Sequence, residues 1–298
     1  MAKIKIQRFD PKKDEKPYFK EYEIECNKNF TILDAVICVK ENNDATLGFR
    51  HSCKAGICGS CAMTVNGRAR LTCKTYLIDE MEKFGEVRIA PIGNLKILKD
   101  LIVDMEPFYK EMKAVKPWFD KVCDAKVRPE HVKKIEKSSE CIWCAACFSD
   151  CPSREVSNKY LGPAASVLAQ RYIDDVRDDK RRERLRAVVE KQLWMCAHCE
   201  KSTENCPQNI DPQEVISKLR EESIKEGLVR NVGARHAKTI TKHVKKYGEI
   251  VESRLPLGAL GPFKIFKMIP VAVRMILKGK FPPLFIKKIK KWDEMKKK

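Results

Sequence analysis

The chain has 298 residues, 43% of them hydrophobic, which fits two ordinary domains with packed cores and excludes a disordered polymer. Its formal charge of +19 raises nucleic acid as a ligand, yet residues 231–298 hold 18 Lys or Arg against 4 Asp or Glu, leaving about +5 for the first 230. The basicity belongs to a tail, and no nucleic-acid partner is expected for the body.

Fourteen cysteines demand either disulfides in an oxidising compartment or metal in a reducing one. The opening MAKIKIQRFDPKKDEK has no apolar run fit for a signal peptide, and IPVAVRMIL at 269–277 is far short of the roughly 18 apolar residues a membrane span needs. A cytoplasmic setting is expected, extended at most to a peripheral position on the cytoplasmic face of a membrane.

In chain order, Ala2–Ile6 and Tyr18–Ile24 alternate polar and apolar residues around the loop DPKKDEKP, a hairpin pattern. Thr31–Asn42 puts Ile32, Ala35, Val36 and Val39 at helical spacing behind a capping Thr31. A cysteine-rich loop follows, then strands at Ala62–Val65 and from Arg68 towards Cys73, joined by an Asn66-Gly67 turn, and a last strand near Val87–Ala90. Residues 96–137, charged and broken by Pro107, Pro117 and Pro129, read as a connection. Beyond Cys151 the pattern is helical over Ala164–Asp174, Asp179–Trp194 and Pro212–Glu226, the last closed by Gly227. The expected class is α+β: a small sheet-bearing domain over 1–105, an all-α domain over 106–230, and a basic amphipathic tail over 231–298.

Three cysteine runs carry the chemistry. HSCKAGICGSC sets Cys53, Cys58 and Cys61 in C-x4-C-x2-C order, with Cys73 following after eleven intervening residues, the plant-type 2Fe-2S spacing. A two-iron cluster takes four thiolates from a tight loop, and Gly56 and Gly59 give that loop its freedom. CIWCAACFSDCP is C-x2-C-x2-C-x3-C-P with Cys141, Cys144, Cys147 and Cys151. In two-cluster ferredoxins the fourth cysteine of such a run ligates the other cluster. The required second run starts 45 residues after Cys151 as CAHCEKSTENCP, with Cys196, Cys199 and Cys206. Crossover assigns Cys141, Cys144, Cys147 and Cys206 to a 4Fe-4S site, and Cys151, Cys196 and Cys199 to a third. Where the template expects a fourth thiolate for that third site stands Ser202. A 3Fe-4S cluster, a 4Fe-4S cluster with Ser202 as oxygen ligand, or a cysteine recruited from a distance would each satisfy the count. Cys26, Cys38 and Cys123 have no ligand spacing and are expected to pack as small hydrophobes. No acid–base dyad, nucleophile or nucleotide loop is visible, so no catalytic residue is expected on this chain.

The combination resembles the iron-sulfur subunit of the succinate dehydrogenase and fumarate reductase family, through HSCKAGICGSCAMTVNGRARLTC, PIGNLKILKDLIVDM and the two later runs. The resemblance implies a β-grasp plant-type ferredoxin domain ahead of a helical two-cubane domain. It also implies a relay of electrons to or from a separate FAD-carrying flavoprotein that interconverts fumarate and succinate. Val156 and Ala197 stand where quinone-reducing members have Trp and His. The last run and NIDPQEVISKLREESIKEGL are similar to the small iron-sulfur subunit of heterodisulfide reductases, as in thiol-driven fumarate reductases, which implies a cysteine-rich third subunit. The competing readings are an ordinary quinone-linked succinate dehydrogenase with a membrane anchor, and a ferredoxin-like or heterodisulfide reductase component that never meets fumarate.

Overall fold

Alternation in AKIKIQR buries Ala2, Ile4, Ile6 and Arg8 on one face of the first strand, β1 (Ala2–Arg8), and this face seeds the N-terminal core. The computed structural model describes residues 2–283, 288–290 and 292, the side chains at 262 and 263 excepted. The hairpin partner β2 (Tyr18–Ile24) runs antiparallel to β1 with Ile4 opposite Tyr22. Helix α1 (Ile32–Cys38) starts at Thr31, whose hydroxyl accepts from the Asp34 N–H at 3.1 Å while the Asp34 carboxylate accepts from the Thr31 N–H at 3.1 Å. Its continuation over Val39–Asn43 is π-helical rather than α-helical. Strands β3 (Ala62–Val65) and β4 (Arg68–Leu71) are joined at Asn66-Gly67, both with positive φ, as a tight hairpin turn requires.

Helix α2 (Leu77–Phe84), absent from the sequence expectation, leads into β5 (Val87–Ala90). The sheet order is β2-β1-β5-β3-β4, with β1 and β5 parallel and the other neighbours antiparallel. Ile4, Ile6, Val36, Leu47, Met63, Leu77 and Ile89 form the core beneath it. A short ribbon, β6 (Ile97–Lys99) and β7 (Ile102–Val103), follows within what the sequence presented only as a connection.

The remainder is helical: α3 (Glu106–Ala114), α4 (Pro129–Ser139), α5 (Ala146–Ser149), α6 (Pro152–Val156), α7 (Pro163–Ile173), α8 (Arg181–Glu190), α9 (Lys201–Glu204) and α10 (Pro212–Lys225). Helix α7 is buried almost throughout and packs against α3, α4, α5 and α8. The non-helical stretch after α3 is held to this bundle by polar groups. Tyr172 donates to the Pro117 carbonyl at 2.6 Å, and the buried Arg184 pairs with Asp178 while donating to the carbonyls of Val115, Lys116 and Trp118.

Two compact units emerge, Met1–Leu219 and Arg220–Lys298, the division falling within α10. The second contains α11 (Val232–Tyr247), capped by the Asn231 side chain and closed by Gly248, then α12 (Leu255–Leu260), α13 (Pro262–Ile265) and α14 (Ile269–Leu277). Arg235 on α11 donates to the Ala259 carbonyl of α12 at 2.8 Å. Among the described residues, no helix is long and apolar enough to cross a membrane.

Candidate iron-sulfur centres

The first cysteine loop runs between the π-helical turn and β3. Its backbone turns N–H groups towards sulfur: Ala55, Ile57 and Cys58 donate to the Cys53 Sγ at 3.3–3.4 Å. These three donors, Ala55 foremost, lower the Cys53 thiol to about 6, so it is readily a thiolate. Cys53 and Cys58 are exposed, whereas Cys61 and Cys73 are buried beside Leu33 and Leu71. Burial, followed by the neighbouring Cys61, raises Cys73 to about 11. A nest of amide donors around thiols of unequal burial suits a cluster that is solvent-facing on one edge.

The second and third runs share one backbone plan. In CIWCAAC the αL residues are Trp143 and Ala145; in CAHCEKS they are His198 and Glu200. Each run then enters a one-turn helix, α5 or α9, and ends on a cysteine followed by proline. Cys151 and Cys206 even make equivalent closing bonds, their N–H groups donating to the carbonyls of Phe148 and Thr203. Under this correspondence Ser202, the second residue of α9, stands where Cys147 stands in α5.

Cys141, Cys144, Cys147 and Cys206 line one cavity together with Trp143, Ala164, Val167 and Ile210. The cysteine from the distant run has thus joined the first three. Burial pushes the Cys144 thiol up to about 12 and Cys147 well above the ordinary thiol range. In so apolar a cavity a thiolate needs a metal's positive charge, and the four sulfurs with the Ile210 N–H on Cys206 at 3.4 Å fit a cubane cluster. Cys151 is buried, its thiol raised by that burial and by the nearby Cys196 and Cys199. The fold thus places Cys206 with Cys141, Cys144 and Cys147, and Cys151 near Cys196 and Cys199. Among the described residues no three His, Cys, Asp or Glu side chains converge on a single-ion site; a cubane takes one thiolate per iron and a two-iron cluster two, so neither needs three on one ion.

The loops of the first two centres touch. A Cβ on Gly59 would lie 2.9 Å from the Ile142 carbonyl oxygen and 3.0 Å from the Cys144 Cα. Further links bind the sheet to the helices. Asn94 Nδ2 is shared among the carbonyls of Phe148, Ser149 and Cys151 at 2.9–3.0 Å, and the Gly93 N–H donates to Ser149 Oγ at 2.7 Å. Asp150 accepts from the Ala69 N–H at 3.0 Å and from Asn205 at 2.6 Å, while Arg68 donates to Asn205 Oδ1 at 3.0 Å. One carboxylate thereby joins β4 to both cubane runs. None of these positioning residues has a spacing signature.

Of the leftover cysteines, Cys26 and Cys38 pack against the N-terminal core, and Cys123 is half-buried with its N–H on the Arg177 carbonyl. His51 stacks on Phe49 with ring centroids 5.2 Å apart.

Comparison with known proteins agrees with this geometry. A model described as "2Fe-2S iron-sulfur cluster binding domain" matches residues 3–110, and one described as "4Fe-4S dicluster domain" matches residues 137–210. The fumarate reductase iron-sulfur subunit of Mycobacterium tuberculosis is 34% identical over 73% of this chain and 90% of its own length. The 8-methylmenaquinol:fumarate reductase iron-sulfur subunit of Wolinella succinogenes is 32% identical over 95% of this chain and 92% of its own. A chain of the Mycobacterium smegmatis Sdh1 complex in the apo form shares the fold, with a TM-score of 0.66 at 24% identity over 76% of this chain and 97% of that one. With two cluster-binding domains in the same order and relatives matched along most of their length, this chain belongs to the fumarate reductase and succinate dehydrogenase iron-sulfur subunit family and is the electron-transfer subunit of an oxidoreductase complex.

Proposed function

We propose that the chain carries three clusters in series between an FAD-bearing flavoprotein, where fumarate and succinate interconvert, and a second redox partner. In this reading a β-grasp plant-type ferredoxin domain holds a 2Fe-2S cluster on Cys53, Cys58, Cys61 and Cys73. A helical two-cubane domain holds a 4Fe-4S cluster on Cys141, Cys144, Cys147 and Cys206, and a third cluster on Cys151, Cys196 and Cys199, with Ser202 at the open corner. The clusters supply one-electron carriers, and the protein fixes their spacing and shields them. The observation that carries the reading is the close approach of Gly59 to Cys144, together with the gathering of Cys141, Cys144, Cys147 and Cys206 around one cavity.

For the partner at the third cluster, a cysteine-rich heterodisulfide-reductase-like subunit is the first choice. Val156 and Ala197 stand where the quinone-reducing members have Trp and His, which favours a partner other than a quinone-binding anchor. A quinol-linked membrane anchor is the second, favoured because the relative matched over 95% of this chain is named for 8-methylmenaquinol. Purification of the native complex tests both. An FAD subunit whose fumarate or succinate activity depends on this chain is expected; recovery with no flavoprotein overturns the proposal. A cysteine-rich companion selects the first partner, and an integral membrane companion the second.

A further inference from the structure

The second unit contains an apolar surface that its own fold leaves bare. In α14, IPVAVRMIL, only Arg274 carries a charge, yet none of the nine residues is buried: Ala272 and Met275 are half-covered, Ile276 is 60% exposed and Leu277 82%. Phe266, ahead of it, is 64% exposed. An isolated nine-residue helix is marginal in water, and a helix apolar on nearly all sides needs an apolar covering. Beside it opens a groove lined by Ile265, Phe266, Met268, Met275 and Phe281, with one carboxylate, Glu252, among its lining.

The charge pattern identifies the covering. From Leu255 to Trp292 there are nine Lys or Arg and no Asp or Glu. Lys264, Lys267, Arg274, Lys278 and Lys280 are all exposed around the apolar side chains. On α11, Lys238, Lys242, Lys245 and Lys246 line a further open groove with Thr241. At about 1.5 Å per residue, α14 is roughly 14 Å long, too short for the ~30 Å hydrocarbon core of a bilayer. A short apolar helix with a collar of cations matches an interfacial element: apolar side chains enter the acyl boundary, and long cationic side chains reach back to anionic headgroups.

We propose that the unit Arg220–Lys298 docks this chain on an anionic membrane surface, with Phe266 and α14 inserted at the headgroup boundary and the exposed lysines on acidic phospholipid headgroups. The proposal stands independently of the electron-relay reading, since it concerns neither the clusters nor their partners.

The test is co-sedimentation of the full-length, cluster-loaded chain with vesicles of phosphatidylcholine alone or of phosphatidylcholine mixed with phosphatidylglycerol, with cluster absorbance recorded on the same samples. Binding to the mixed vesicles only, falling as salt rises, is expected. Lys278→Glu with Lys280→Glu should weaken it by at least about tenfold, and Ile276→Asp with Leu277→Asp should abolish it, both with unchanged cluster absorbance. Failure to bind mixed vesicles, equal binding to neutral ones, or binding indifferent to the Ile276 and Leu277 substitutions overturns the proposal. So does a tail that ignores vesicles while retaining a protein subunit in the native complex.

Discussion

Gly59 lies against Cys144 so closely that a single methyl group would bring Cβ to 3.0 Å from the cysteine Cα. The contact joins the loop that precedes Cys61 to the loop that follows Cys141. It exists because Gly59, at φ 73, adopts a left-handed conformation that costs other residues about 1–2 kcal/mol. Gly59→Ala therefore carries strain and a backbone clash together. The expected outcome is a lower thermal midpoint and slower electron transfer between the first and second clusters, with both still present by absorbance. Rapid-mixing reduction of the loaded variant measures this, and an unchanged transfer rate would show that the loops do not need this approach.

Asn94 bears on the cubane runs from the other side. Its Nδ2 serves the carbonyls of Phe148, Ser149 and Cys151, and its own φ of 59 suits asparagine better than most residues. Asn94→Ala leaves carbonyls unpaired at an expected cost of about 1–3 kcal/mol. Chelator-driven iron release should quicken for the cubane sites while the 2Fe-2S absorption persists. Asn94→Gly, which relieves the backbone but lacks the donor, should behave like the alanine variant; recovery by glycine would assign the effect to φ instead.

Much of this was legible because cysteine ligation is written in spacing. The exchange of Cys151 and Cys206 between sites follows from the template alone, and the hairpin, the Thr31 cap and the Asn66-Gly67 turn follow from local chemistry. Helix α2 was readable too, since Leu77, Glu80, Met81 and Phe84 share one side and Gly85 closes it in αL. Its short length and acidic residues hid it. What no local pattern announces is the αL geometry of Trp143 and His198, which ordinary residues adopt only because tight loops impose it. The bonds of Asn94 and Asp150 are equally silent, as each depends on strands and helices more than fifty residues apart meeting.

Ser202 stands in α9 where Cys147 stands in α5, so in the proposed reading the third centre has three thiolates and a hydroxyl. The expected occupant is a 3Fe-4S cluster, paramagnetic when oxidised. With one anionic ligand fewer, the site should have a raised potential, and electrons should rest there. Ser202→Cys should bring four irons, remove the oxidised-state signal and lower the potential. Anaerobic wild-type protein with four irons at this site would contradict the three-iron assignment and leave only the asymmetry.

His243 introduces a pH dependence into the second unit. It is buried beside Tyr247, and burial, then Arg254 and Lys242, hold its pKa below the usual 6.5. The folded unit thus prefers neutral His243. Its contribution is intact above about pH 6.5 and declines as pH falls through the depressed folded value. Hydrogen exchange in α11 should accelerate between neutral and mildly acidic pH, and His243→Leu should flatten that dependence. A variant with the wild-type pH profile would assign the effect to another group.

In the proposed relay a conducting path runs from the flavoprotein's fumarate site into this chain. The most direct measurement reduces all clusters of the native complex, adds fumarate under anaerobic conditions, and follows each cluster by electron paramagnetic resonance. The expected result is reoxidation of every cluster in the wild-type complex. In a Cys58→Ala complex the flavoprotein should still reduce fumarate from a soluble dye, while the cubane-type clusters reoxidise far more slowly. Clusters that stay reduced in the intact complex with fumarate present and the flavoprotein active would contradict it.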